Sequence, residues 1–354
     1  MPEKIQPPSE GKANGKGPKA TDAKIQPLVW GAATLAESFG KLLSPALLSL
    51  PLPPVPRVDC GDCRRVREGN AEETIRCCDI VPRLPNFLVG EILHHSDHPV
   101  ILEWIEQRRC DPYYFLPPPA MEERYLSARS DGHFGLPCPL LLPNQGRCSI
   151  YAQRPALCIG YHCYVPDVLW REAWMCLLGL LNLLQHAVAR VLVQRAGFSM
   201  KKMAQVWEDS EAETTLWEGD RQKSSAYRAF WQEHEGKEAD FFRGCFVRVR
   251  AEGRRVREEA SDLQKRLLWS RLATTGALTS EREERWLRPF EIQEIHPEAP
   301  PEMLRRALQK GAQEADMLAF SIEEMEGFMA WYLGELQSPS WWRWWSKRSE
   351  QRLF

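Results

Sequence analysis

Apolar side chains recur in steps of three and four along the stretch that follows Asp167, which is the spacing of one face of an α-helix. These positions are Leu177, Leu181, Leu184, Val188 and Val191. Asp167 is a suitable N-cap for such a helix, and Gly197 is a suitable residue to end it. The pattern predicts one long helix with a buried face.

A second stretch, over about 312–337, shows the same spacing. Its apolar positions are Leu318, Ile322, Met325, Met329, Tyr332 and Leu336. Between the two stretches, residues 200–270 are charged and aromatic, which predicts two or three helices and an acidic loop at EDSEAETTLWEGD. Residues 166–338 are therefore expected to form a helical domain.

The region 58–165 has few long periodic segments. LPNFLVGEILHH predicts a short helix that starts at Asn86, and SDHPVILEWIEQRR predicts a second with Pro99 in its first turn. PLLLPNQGRCSIY has two short apolar runs around a turn, which predicts a small β-hairpin. The expected fold is mainly α, with a loop-rich cysteine lobe that carries this hairpin and precedes the helical domain.

The two ends of the chain differ from the rest in composition. Residues 1–27 are rich in Pro, Gly and Lys and read as a disordered arm. Residues 28–57 predict a weakly amphipathic helix, broken near Pro45, and then the stiff connector LPLPPVPR. Residues 339–354 combine four tryptophans with basic side chains, which suits packing on the helical domain or a weak, salt-sensitive contact with a membrane surface.

Charge and hydropathy narrow the class of protein. The 354 residues carry a net charge of −2, so nothing overall draws the chain to nucleic acid. No signal peptide opens the sequence, and the longest apolar run, WMCLLGLLNLL, is too short to span a bilayer. We therefore expect a cytoplasmic protein, and in that compartment thiols stay reduced.

Cysteine is the residue type that points to chemistry. Of eleven cysteines, eight form the candidate ligand set, namely Cys60, Cys63, Cys77, Cys78, Cys138, Cys148, Cys158 and Cys163. In a reducing compartment, clustered cysteines favour metal binding or catalysis over disulfides. A thioredoxin-like use of CGDC would need a strand before it and a helix after it, whereas a proline-rich connector precedes it here.

The later cysteines stand in a recognisable order. CPLLLPNQGRCSIYAQRPALC places Cys138 first, then Cys148 before Ile-Tyr, and then Arg154-Pro155 before Cys158. This stretch resembles the YkgJ-type cysteine-cluster family, whose members are described as zinc- or iron-chelating proteins. The early cysteines match less closely, because Cys60 and Cys63 are separated from Cys77-Cys78 by RRVREGNAEETIR. The resemblance covers roughly 58–165 and implies a metal or iron–sulfur site.

Eight thiolates exceed the needs of one tetrahedral site, and both zinc and iron–sulfur clusters accept four cysteines. The family resemblance and the abundance of thiols favour the cluster slightly, but spacing does not separate the two. The expected function is cytoplasmic metal binding, with a protein partner recognised through the helical domain. An iron–sulfur enzyme for redox chemistry or protein modification is the alternative, and the absence of a Ser-His-Asp order, a P-loop or HExxH leaves catalysis open.

Other residues with metal-binding or reactive side chains are expected to have structural roles. Cys110, Cys176 and Cys245 are expected to be buried apolar side chains. His94, His95 and His98 in HHSDH are expected at a polar junction between two helices. Arg154 is expected to bond carbonyl groups or to offset thiolate charge, and Pro155 to stiffen the turn.

Overall fold

Helices dominate the fold, as shown by a computed structural model of the chain. The residues that the structure describes are 28–30, 33–50, 81–130, 137–142, 147–160, 168–208 and 216–274, together with 322, 323, 326, 327, 329, 330 and 333. The prediction of a mainly α fold with only small two-stranded sheets is confirmed. The predicted N-terminal arm, the connector beyond Leu50 and the tryptophan-rich tail lie outside these residues.

The first described segment holds two short strands and two short helices. They are β1 (Leu28–Trp30), β2 (Ala33–Leu35), α1 (Glu37–Leu42) and α2 (Pro45–Leu48). The break near Pro45 is confirmed, because this proline is the first residue of α2. The prediction of helix from residue 28 is wrong, since β1 and β2 pair antiparallel there. β-Branched and aromatic residues such as Val29, Trp30 and Thr34 favour this extended pairing.

Three helices and one strand pair come next. They are β3 (Leu84–Pro85), α3 (Asn86–His95), α4 (Pro99–Glu106), β4 (Tyr114–Phe115) and α5 (Pro119–Ser130). The predicted starts of helices at Asn86 and Pro99 are confirmed. Helix α5 was not predicted, because PAMEERYLSARS is polar and lacks an apolar stripe.

The cysteine segment follows as a hairpin and a short helix. Its elements are β5 (Leu141–Leu142), β6 (Arg147–Cys148), a 3₁₀ turn (Tyr151–Gln153) and α6 (Ala156–Gly160). The predicted hairpin is confirmed, with Leu141 opposite Cys148 and Leu142 opposite Arg147.

The largest helices lie in the remaining part of the chain. The elements are α7 (Val168–Arg195), α8 (Met200–Glu208), β7 (Trp217–Glu218), β8 (Arg221–Gln222), α9 (Ser224–Trp231), a 3₁₀ turn (Gln232–His234) and α10 (Glu238–Thr274). Helix α10 is kinked at Glu252, whose φ of −128° and ψ of 25° are not helical. The five apolar positions predicted to share one face of α7 are all buried. The predicted end is also confirmed, because Gly197 follows α7 with a φ of 87°, which glycine adopts readily.

Part of α7 has the length and hydropathy of a membrane span. By these two measures alone, Leu177–Arg195 is long and apolar enough to cross a membrane. The shorter apolar run WMCLLGLLNLL, which was considered in the sequence, was not. Within the structure, 67% of the qualifying window is buried against the rest of the protein, as in the core helix of a globular domain.

The centre of the fold is a contact between α3 and α10 in which the two backbones touch. A Cβ atom at Gly90 of α3 would lie only 1.9 Å from the carbonyl oxygen of Phe242 in α10. Gly253, further along α10, approaches α1 in the same way, because a Cβ there would lie 2.6 Å from the carbonyl oxygen of Lys41. Glycine at these two positions therefore allows both helices to reach α10.

Helix α1 is also held at its N-terminus by a buried carboxylate. Its N-cap residue, Ala36, has no side chain that can cap the helix. Glu91 of α3 takes this role, since it accepts hydrogen bonds from the backbone N–H of Glu37 at 3.0 Å and of Ser38 at 3.0 Å. The hydroxyl of Ser38 donates a further bond of 2.6 Å to Glu91. These donors and the positive end of α1 offset part of the cost of burying the charge.

The described positions near the C-terminus belong to a helix that packs on the same core. Ile322, Met329 and Leu333 are buried, as the spacing of the sequence predicted for the first two. Glu326 accepts a 2.6 Å bond from Arg257 of α10 and a 3.1 Å bond from the backbone N–H of Ser44. The buried apolar side chains form one cluster that reaches from Leu35 through the cysteine segment to this helix.

Replacing Gly90 by alanine should destabilise the protein severely. The added methyl group would overlap the backbone of Phe242, and we expect the free energy of unfolding to fall by about 3 kcal/mol in a denaturant titration. Gly244→Ala in α10 is the matched control, because a Cβ there meets nothing within 4 Å. Since alanine favours helix, this control should gain about 0.5–1 kcal/mol, and a Gly90→Ala variant as stable as the parent would contradict the close contact.

The ionisation of Glu91 should give the stability of the fold a specific pH dependence. Burial raises the pKa of Glu91 above 4.5, while the bonds from Ser38 and Glu37 oppose that rise. The folded state therefore holds its proton more tightly than the unfolded state. The resulting stability is complete below pH 4.5 and is lost as the pH rises through the raised pKa.

Glu91→Gln cannot ionise, so it should lack this component of the pH dependence. We expect the difference in unfolding free energy between Glu91→Gln and the parent to shift in favour of the variant between about pH 4 and pH 7. The same substitution at exposed Glu106 is the comparison for loss of one surface carboxylate. Parallel curves for Glu91→Gln and the parent would show that Glu91 does not act in this way.

Candidate metal centre

Three of the eight predicted ligand cysteines lie within the described residues. They are Cys138, Cys148 and Cys158, all on the segment that contains the hairpin and α6. Cys60, Cys63, Cys77, Cys78 and Cys163 lie outside the part of the chain that the structure describes.

The backbone of the hairpin positions the first two of these cysteines. Cys148 in β6 pairs with Leu141 in β5, and the N–H of Leu141 donates a 2.9 Å bond to the carbonyl of Cys138. Ser149 closes the hairpin, because its N–H and its hydroxyl each donate a 2.8 Å bond to the carbonyl of Leu140. Cys138 is buried, whereas Cys148 is partly exposed.

The third cysteine is positioned by the Arg-Pro pair that precedes it. The guanidinium of Arg154 donates to the carbonyls of Tyr151 at 3.1 Å and Cys158 at 3.3 Å, and it stacks 3.9 Å above the ring of Tyr151. The N–H of Cys158 donates 2.9 Å to the carbonyl of Pro155, at the start of α6. The prediction that Arg154 bonds carbonyl groups is therefore confirmed, and the arginine places one positive charge beside Cys158.

Helix α6 is anchored to the long helix α7. The backbone N–H of Ala156 donates a 3.2 Å bond to the side-chain oxygen of buried Gln185 in α7. The amide of Gln185 in turn donates 2.8 Å to Asn182. Ile159 of α6 is buried in the common core, so Cys158 is carried by an element that the helical region holds in place.

The described cysteines do not make a complete metal site by themselves. Among the described residues, no group of three or more His, Cys, Asp or Glu side chains is arranged to hold a metal ion. A centre that uses Cys138, Cys148 or Cys158 therefore requires further ligands from the candidate cysteines beyond the described ranges. In chemical type the donors fit, because thiolates are ligands for both zinc and iron–sulfur clusters.

The described cysteines outside the candidate ligand set have structural roles. Cys110 and Cys245 are fully packed in the core, which confirms the prediction for both. Desolvation raises the pKa of each thiol, so both stay protonated and unreactive. Cys176 lies in α7, but its side chain is outside the description.

The histidines of HHSDH lie at a junction, as predicted. Helix α3 ends at His95 and α4 begins at Pro99, one residue after His98. The rings of His94 and His95 lie against Phe246 of α10, with centroids 5.0 and 5.8 Å away. Burial lowers the pKa of His95 and of His98, which favours the neutral rings.

One buried polar network had no signal in the sequence. The hydroxyl of Tyr227 in α9 donates a 3.0 Å bond to Glu238 and lies 3.8 Å from the thiol of Cys110. Glu238 also accepts a 2.8 Å bond from the backbone N–H of Gly236. Cys110 lies 117 residues from Tyr227 in the sequence, so only the fold shows that it meets this pair. All three are buried, which makes this network a packing feature.

No protein-family model, curated protein or solved structure matches this chain.

Loss of the Arg154 side chain should loosen the segment that carries Cys158. Arg154→Ala removes two bonds to carbonyls and the contact with Tyr151, so local stability around α6 should fall by about 1–2 kcal/mol. Amide hydrogen exchange at residues 156–159 measures this change. Arg254→Ala removes an arginine of α10 whose side chain is 90% exposed, and it should leave these amides unchanged. Unaltered exchange in Arg154→Ala would mean that the guanidinium does not hold the segment.

Proposed function

We propose that this chain is a metal-binding protein that holds an iron–sulfur cluster or zinc through its clustered cysteines. The observation that carries the proposal is the placement of Cys138, Cys148 and Cys158 on one short segment. Hairpin pairing, the bonds of Arg154 and the anchor at Gln185 position the backbone of this segment.

The donor set supports a centre built from sulfur. Cys60, Cys63, Cys77, Cys78 and Cys163 would supply the remaining thiolates, and CGDC has the spacing with which two cysteines grip one metal ion. Iron–sulfur clusters and structural zinc sites both use four cysteines, so eight thiols are enough for two centres. The slight preference for an iron–sulfur cluster comes from the resemblance to the YkgJ-type family and from the abundance of thiols.

A bound metal would also stabilise the hairpin formed by β5 and β6, which has little stability of its own. The strands β5 and β6 have two residues each, and a hairpin of this size is marginal in water. Metal–thiolate bonds form only when the segment is folded, so their free energy would contribute to folding. Metal loss is therefore expected to lower soluble yield as well as metal content.

The metal centre is proposed to lie in a cytoplasmic protein and to be presented to a protein partner. Thiolates persist in the reducing cytoplasm, where we place the protein. The helical region around α7 and α10 would then present the metal-bearing segment to a protein partner. With a closed, cysteine-saturated centre the metal is structural, whereas an open coordination position would allow an enzyme.

Serine at either Cys148 or Cys158 should remove metal and soluble protein together. A serine hydroxyl is a poor substitute for a thiolate ligand, so we expect at least half of the bound metal to be lost in each variant. The measurement is the content of metal and of acid-labile sulfide in each variant, purified without oxygen. Iron with sulfide identifies a cluster, and zinc without sulfide identifies a structural zinc site.

Cys245→Ala is the matched control, because this thiol is buried in the core and is not one of the candidate ligands. It should keep the metal content of the parent. If Cys148→Ser and Cys158→Ser also keep full metal content, these two cysteines are not ligands and the proposed centre is wrong.

A further inference from the structure

A shallow cavity of about 480 Å³, open to solvent, lies on the surface between α8, α9 and the 3₁₀ turn that follows α9. Its lining includes Lys202, Gln205, Val206, Arg228, Gln232 and Glu233. This volume falls within the range of small-molecule sites. None of the described residues that line the cavity is a candidate metal ligand, so binding here would not depend on the proposed metal centre.

Three exposed side chains of opposite charge, those of Lys202, Arg228 and Glu233, line this cavity. Lys202 lies on α8 and Glu233 on the turn. Neither side chain has a hydrogen bond or an ion pair to a residue that the structure describes. Arg228 reaches it from α9 and uses only its Nε, in a 3.2 Å bond to Glu235, so its terminal N–H groups remain free among the described residues. The walls therefore offer donors for a carboxylate and an acceptor for a cation.

One residue of the lining is held in an uncommon backbone conformation. Gln232 has a φ of 52° and a ψ of −125°, a combination that glycine adopts far more readily. Its side chain accepts a 3.0 Å bond from the N–H of Ser199 and donates a 3.3 Å bond to the carbonyl of the same residue. These two hydrogen bonds join the turn that carries Glu233 to the residue that precedes α8.

We propose that this cavity binds a small zwitterion of the amino-acid class, such as a short peptide with free ends. The carboxylate of the ligand would meet Lys202 and Arg228, and its ammonium group would meet Glu233. Val206 and Ala229 add an apolar surface for a side chain of the ligand. Glu233 disfavours phosphates and other polyanions, because their charge would be repelled by its carboxylate.

Three related probes test the two ionic contacts separately. Glycyl-L-leucine carries both charges, N-acetyl-glycyl-L-leucine lacks the ammonium group, and glycyl-L-leucine amide lacks the carboxylate. The full chain is unfolded thermally with each probe at about ten millimolar. A ligand that binds only the folded state raises Tm, so glycyl-L-leucine should raise it by several degrees. The two blocked probes should each bind about tenfold more weakly.

Substitutions then locate the site. Lys202→Ala and Arg228→Ala should each weaken binding of glycyl-L-leucine about tenfold. Lys201→Ala is the matched control, because this exposed lysine precedes Lys202 and does not line the cavity. Glu233→Gln should remove the advantage of glycyl-L-leucine over the acetylated probe. The Tm of each variant without probe shows that its fold is retained.

Two results would overturn the proposal. One is the absence of any rise in Tm with glycyl-L-leucine at this concentration. The other is a rise that is equal for all three probes, or one that survives both Lys202→Ala and Arg228→Ala. The metal content of the protein does not enter the experiment, so a failure here leaves the proposed metal centre unaffected.

Discussion

Helices α3 and α10 approach each other until their backbones touch, and the rest of the structure is arranged around that contact. Gly90 makes the approach possible because it carries no side chain toward Phe242. The same helix holds two other parts of the fold through buried polar residues. Glu91 binds the N-terminus of α1, and Asn86 donates to the carbonyl of Ala189 in α7 at 3.0 Å. Every residue from Asn86 to Leu93 is buried, so α3 is a helix surrounded by protein on all sides.

The long helices were predictable because their burial follows a simple period. Leu177, Leu184 and Val191 repeat at helical spacing in the sequence and all face the core in α7. The short elements were not predictable from the sequence. Strands β1 and β2 have three residues each, too few for a period-two pattern to be distinguished from part of a helix. The capping of α1 was equally hidden, because Glu91 and Ser38 are more than fifty residues apart.

In the segment that carries Cys138, Cys148 and Cys158, local features were also predictable and contacts with distant residues were not. The order of Cys138, Cys148 and Cys158 and the turn of the hairpin could be predicted because both are local in the chain. The anchor from Ala156 to Gln185 could not, since nothing in the sequence marks Gln185 as a partner of this backbone. The charged cavity was also beyond prediction, because Lys202 and Arg228 line one surface only after α8 and α9 pack together.

X-ray absorption spectroscopy of the chain purified without oxygen tests the central proposal most directly, because it identifies the metal and counts its ligands. A cysteine-held centre predicts iron or zinc surrounded mainly by sulfur, with about four sulfur atoms per ion and, for zinc, a distance of about 2.3 Å. An iron–sulfur cluster would add a short iron–iron distance. Protein that contains no metal, or a metal surrounded only by nitrogen and oxygen, would contradict the proposal.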